Sequence, residues 1–239
     1  MANKFNRDTV TQGRTVSNVQ VDEGLRSHML RVYNYMTIGL ALTGLVAYLV
    51  ASTPALVGAI IGSPIMWVLL IGNFGLVMFL SARIHAMKFA TAQLMFWTYA
   101  ALNGVTFSIF FVAYTQESIA RVFFITAASF AALSLYGYLT RRNLSGMRSF
   151  LVMGMVGIFI AFIVNIWLQS PIIYLAASAI GVLVFAGLTA YDTQKIKEMY
   201  YELDSSEVTG KKAIMGALSL YLDFILMFQM LMHLFGNRN

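Results

Sequence analysis

Seven apolar runs, separated by short polar stretches, organise this 239-residue chain. They cover about 33–51, 65–81, 89–113, 121–139, 149–168, 171–191 and 213–235. Each approaches the roughly 20 residues that a helix needs to cross about 30 Å of hydrocarbon. Apolar positions do not recur with the period of an amphipathic helix; they surround the axis, as in a helix immersed in lipid or fully buried. Nor do they alternate over about ten residues, as lipid-facing barrel strands do. Only helices satisfy the backbone of such continuous runs internally. The pattern therefore predicts an all-α membrane protein of seven transmembrane helices. A polar N-terminal segment, 1–32, precedes a transmembrane domain over 33–239.

Composition agrees with that reading. Hydrophobic residues make up 59% of the chain and charged residues 11%, against about 25% charged in an average soluble domain. Glycine recurs inside the runs (Gly39, Gly44, Gly154, Gly157, Gly181, Gly187), as expected where helices pack closely in lipid. The first 32 residues lack the pattern of a cleaved signal peptide. Cysteine is absent, which excludes disulfides and thiolate metal sites. His28, His85 and His233 are not spaced as a ligand set.

Charge adds orientation. Lys4, Arg7, Arg14, Arg26 and Arg31 precede the first run; Arg83 and Lys88 follow the second. Arg141, Arg142 and Arg148 follow the fourth, and Lys195, Lys197, Lys211 and Lys212 the sixth. Only Arg121 and Arg238 fall on the other side. Fourteen against two over short loops places the N-terminus in the cytoplasm and the C-terminus outside. The net charge of +6 thus marks membrane boundaries and gives no reason to expect nucleic acid. Ser170-Pro171 reads as a tight break between two spans. Segment 52–64 reads as interfacial, and 198–212 as the longest connector, solvated and of mixed charge.

Two aspartates depart from the pattern. Asp192 ends the sixth run, and Asp223 lies near the middle of the seventh. A lipid-facing carboxylate at the bilayer centre costs about 2.5–3.5 kcal/mol on insertion scales, so such groups face a bundle interior or a wet cavity. The intervening loop makes the two spans antiparallel neighbours. Carboxylates sharing a dry site resist joint ionisation and can hold one proton between them. Such a pair can serve as a proton switch, a cation site or a proton relay, and hard cations such as Ca²⁺ take oxygen ligands of this kind. Thr189 and Ser219 share the helix faces of Asp192 and Asp223 and are candidate donors to them. Lys195, one turn on, is a candidate partner for Asp192, and Arg83 a candidate counter-ion for either. Asn73, Gln93, Asn103, Asn165 and Gln229 are expected to join helices. His233 is expected at the interface, and Trp167, Tyr191, Tyr200 and Tyr201 in an aromatic belt. No zinc-protease helix, nucleophile elbow or phosphate-binding glycine loop is present, and no cofactor is expected.

The stretch Gly187-Leu-Thr-Ala-Tyr-Asp-Thr-Gln-Lys-Ile196, followed by Ala217-Leu-Ser-Leu-Tyr-Leu-Asp-Phe-Ile225, resembles the C-terminal signature of Bax inhibitor-1-like membrane proteins. The resemblance extends through the seven spans and implies a last helix at the centre, with the other six around it in two three-helix layers. It implies a multi-pass protein of the inner membrane that acts as a pH-sensitive calcium leak channel. Asp192 and Asp223 would be its proton-sensitive pair and possible calcium site, with Arg83 as latch. The partners implied are the bilayer and calcium ions. Bacterial members of the family are also described as modulators of a membrane-bound AAA protease, so regulation by binding, without transport, is the alternative function; the polar segment 1–32 would suit such a contact.

Overall fold

The computed structural model describes the backbone of residues 5–60 and 62–239, and side chains from residue 23 onward with residue 61 excepted. The described elements are helical. They run α1 (Phe5–Ala51), α2 (Pro54–Ile60), α3 (Pro64–Arg83), α4 (Phe89–Ala113), α5 (Gln116–Leu139), α6 (Arg148–Leu168), α7 (Pro171–Glu198) and α8 (Ser206–Phe235). Seven of them, all but α2, are long and apolar enough to cross a membrane. Short helix α2 occupies the segment read as interfacial.

Helix starts follow local chemistry. Ser63, Thr115, Ser170 and Ser205 cap α3, α5, α7 and α8, each hydroxyl accepting from a backbone N–H of the first turn, which satisfies a donor that the helix itself leaves free. Pro64 and Pro171 follow two of those caps, where a missing N–H is harmless. The break expected at Ser170-Pro171 is therefore present.

Several helices outrun the apolar stretches that predicted them. Helix α1 passes through residue 32 without interruption, and Met29 and Val32 are already buried, so packing begins upstream of position 33. Helix α8 begins at Ser206, which shortens the connector expected over 198–212 to residues 199–205. The Ser205 cap and Glu207 in the first turn favour helix there although the residues are polar.

Two three-helix layers enclose α8. In one, α4 packs between α1 and α3; in the other, α7 packs between α5 and α6. Helix α8 lies against α1, α4, α5 and α7. Its apolar stretch is 72% buried, while those of α3 and α6 are each 11% buried. The last helix is central, and α3 and α6 face lipid. Each layer contains a close glycine contact. A Cβ on Gly104 of α4 would come within 2.7 Å of the Thr43 carbonyl of α1, and one on Gly137 of α5 within 2.2 Å of the Ala190 carbonyl of α7.

Polar side chains fasten these layers from within. Thr43 donates to Ala100 O at 2.8 Å and shares a 2.7 Å hydrogen bond with the Tyr221 hydroxyl, tying α1, α4 and α8. Tyr33, Ser134 and Thr193 form a chain with links of 2.6 and 2.9 Å across α1, α5 and α7. Of the five amides expected to join helices, Asn73 does so, donating to Thr106 Oγ1 at 2.8 Å. Asn103 bonds within its own helix and Asn165 closes the turn before Ser170.

At the loop end of α7 and α8, long polar side chains hold the connectors. Gln194 accepts from Leu144 N at 2.7 Å and donates to Arg142 O at 2.8 Å. Lys197 donates to Tyr138 O, Lys211 to Met87 O and Lys212 to Met199 O, while Lys212 also pairs with Asp204. Removing Gln194 leaves a buried N–H without its acceptor, which costs about 1–3 kcal/mol. Gln194→Ala is expected to loosen 140–147 by that amount. Trypsin cleavage after Arg141 or Arg142 should accelerate severalfold, and unchanged cleavage would show that other contacts hold the loop.

Candidate functional site

Asp192 and Asp223 lie on helices packed directly against each other. Gly216 faces Ile196, and Gly181 faces Met230. These two contacts fix an antiparallel register that sets Asp223 level with residues 188 and 189. Asp192 then sits about one turn, ~5 Å along the axes, nearer the 199–205 loop. Because α7 continues to Glu198, Asp192 lies inside the helix, although the apolar run stops there. It is half-buried, while Asp223 is 5% exposed.

Neither carboxylate has a hydrogen-bond donor among the described residues, and Asp223 Oδ2 is fully enclosed without a partner. An enclosed oxygen of this kind normally finds a donor. The expected donors turn elsewhere. Thr189 Oγ1 donates to Phe185 O in its own helix at 2.8 Å, the usual back-bond of a helical hydroxyl. Ser219, half-buried, makes no hydrogen bond to Asp223.

The surroundings of the pair are unequal. Asp223 is enclosed, Asp192 only half so, and neither carboxylate forms an ion pair among the described residues. Lys195, expected as a partner for Asp192, is exposed and forms no ion pair with it among the described residues. Arg148, noted as a boundary charge, stands exposed at the start of α6. Arg83 ends α3, which packs on α4 at the edge of its layer. Its side chain is exposed and forms no ion pair among the described residues.

Other candidates also find definite places. Trp167 is 75% exposed, in keeping with a lipid-facing belt, whereas Tyr191 is buried. His233, expected at the interface, is half-buried beside Tyr174, with ring centroids 4.6 Å apart, and near Phe110 and Phe162. His28 is buried with both ring nitrogens unpartnered among the described residues; its sequence context had offered nothing to single it out. No group of three or more His, Cys, Asp or Glu suited to a metal ion occurs among the described residues. A cation at the pair would complete its shell with carbonyl and water oxygens.

A family model described as Inhibitor of apoptosis-promoting Bax1 matches residues 25–239. The chain belongs to the Bax inhibitor-1 family. Protein RP147 of Rickettsia prowazekii is 44% identical over 230 residues, covering 96% of this chain and 98% of that protein. The inner membrane protein YbhL of Escherichia coli is 44% identical over 228 residues, covering 94% and 97%. A Caulobacter vibrioides protein is 40% identical over 230 residues, covering 92% of each. With seven membrane-crossing helices and a relative of that name, this member of the Bax inhibitor-1 family is a multi-pass protein of the inner membrane.

Proposed function

We propose that this protein provides a passive, pH-sensitive path for calcium through the inner membrane, gated at Asp192 and Asp223. The enclosed, donor-less carboxyl of Asp223, one turn from a second carboxyl on a neighbouring helix, carries the reading. Two such groups in a dry site exchange a proton readily or accept a cation, because neither has protein donors to hold its charge. Protonation removes the charge that attracts the cation and relieves repulsion across the α7–α8 contact, so one event alters both affinity and packing.

The surplus of Lys and Arg on one side supports an N-terminus in the cytoplasm and a C-terminus outside. Asp192, the more accessible of the two, then faces the cytoplasm and Asp223 the bilayer centre. Neither Lys195 nor Arg148 pairs with Asp192 among the described residues, which leaves its carboxyl free for a proton or a cation. Arg83 acts as latch in a second conformation, in which the turn after α3 moves toward the α7–α8 pair.

The test is calcium entry into proteoliposomes containing an indicator dye, read on both sides of neutral pH. Asp223→Asn and Asp192→Asn are each expected to reduce flux about tenfold or more and to flatten its pH dependence. Flux with unchanged size and pH profile in both variants would overturn the proposal.

A further inference from the structure

The two layers meet imperfectly along one side. Helices α1 and α5 are edge helices of their layers and are not among the closely packed pairs. A groove of about 910 Å³ runs between them. A second cavity of about 330 Å³ continues it toward the opposite membrane face, sharing Leu40, Gly44, Phe123 and Phe224 as walls. Helix α8 forms the floor through Phe224, Ile225 and Phe228.

Polarity along this groove is confined largely to one end. Arg26, Tyr33, Ser134 and Tyr138 line the end that belongs to the basic side of the protein, and the walls beyond are aliphatic and aromatic apart from Thr37, Thr43 and Gln116. Arg26 is exposed and forms no ion pair among the described residues. A long apolar slot with a cation at one mouth is complementary to an amphiphile with an anionic head. A packed helix, about 10–12 Å across with its side chains, does not fit: the Tyr33–Ser134 hydrogen bond of 2.6 Å crosses between the walls. An acyl chain is narrow enough to lie beyond that tie.

We propose that the α1–α5 seam binds an anionic glycerophospholipid, with one acyl chain in the groove and the headgroup phosphate on Arg26. The site is separate from the aspartate pair, although both use α8, so bound lipid would brace the central helix on the side away from α7.

The test uses the purified full chain in detergent. It is titrated with phosphatidylglycerol or with phosphatidylcholine of the same chains, and bound lipid is counted by native mass spectrometry. Phosphatidylglycerol is expected to bind more tightly. One arginine near the headgroup level is worth about fivefold in affinity. Arg26→Gln should weaken phosphatidylglycerol binding about fivefold and phosphatidylcholine binding, whose phosphate is offset by its own choline cation, clearly less, while Arg141→Gln leaves both unaltered. Ala131→Phe, which fills the groove from α5, should weaken both. Equal affinity for the two lipids would overturn the proposal, as would equal effects of the two arginine substitutions or undiminished binding to folded Ala131→Phe protein. Arg26 is an exposed residue, so its variant decides the matter even if Ala131→Phe does not fold. Calcium flux does not enter the readout, and failure of either proposal leaves the other standing.

Discussion

Replacing Gly137 by alanine is expected to destabilise the folded protein by about 3 kcal/mol, while the same change at Gly72 or Gly75 should be nearly neutral. A Cβ at Gly137 would lie 2.2 Å from the Ala190 carbonyl and 2.9 Å from its carbon, whereas Gly72 and Gly75 have open space. The obstacle is backbone, which cannot turn aside as a side chain does. Helix α5 must therefore move off α7, at the upper end of the roughly 1–3 kcal/mol seen for overpacking. The shift would also pull on the Tyr33–Ser134–Thr193 chain, because Ser134 is one turn away on α5. Thermal unfolding in mild detergent measures the difference. A midpoint for Gly137→Ala equal to that of Gly72→Ala would mean that the layers are looser than this contact implies.

The second large effect separates stability from activity. Asp223→Asn is expected to increase stability by about 1–3 kcal/mol while removing most calcium flux. The carboxyl oxygen enclosed without a partner carries the desolvation cost of an unsatisfied buried group, which is of that size and larger when charged. Asparagine keeps the shape and leaves an unpartnered amide in place of the carboxyl, but it removes the buried charge and the repulsion from Asp192, which is where the gain arises. Residues that weaken a fold where they act are a familiar cost of function. Unfolding in detergent together with flux in vesicles distinguishes the outcomes: a destabilised variant would mean that Asp223 has a structural partner. The analogous Asp192→Asn change should alter stability less, because Asp192 is only half-buried and keeps more of its hydration than Asp223.

Much of this was readable from the chain. Span number and type follow from apolar runs whose length the bilayer dictates, and the aspartates stood out because charge in such runs is costly. The ends of the spans were less legible. A helix continues past the hydrocarbon for as long as caps and packing support it, as the polar first turns of α8 and the buried residues before position 33 in α1 illustrate. Polar partners were the hardest part. Thr189 was well placed for Asp192 by spacing, but a helical hydroxyl has a nearer acceptor four residues back. The Gln194 anchor and the Thr43–Tyr221 tie depend on distant segments meeting, which periodicity does not encode.

The position of α8 bears on how the protein is made. The helix that touches both layers is the last of the seven to be synthesised, so the other six enter the membrane before the element they surround exists. Each layer has its own middle helix and its own glycine contact, which lets it persist as a separate half during that interval. The two halves must then part or remain apart to admit a segment carrying an ionisable group across lipid. A chain interrupted before Ser206 would leave two lipid-soluble half-bundles, each exposing to lipid or to other proteins the surface meant for the missing helix.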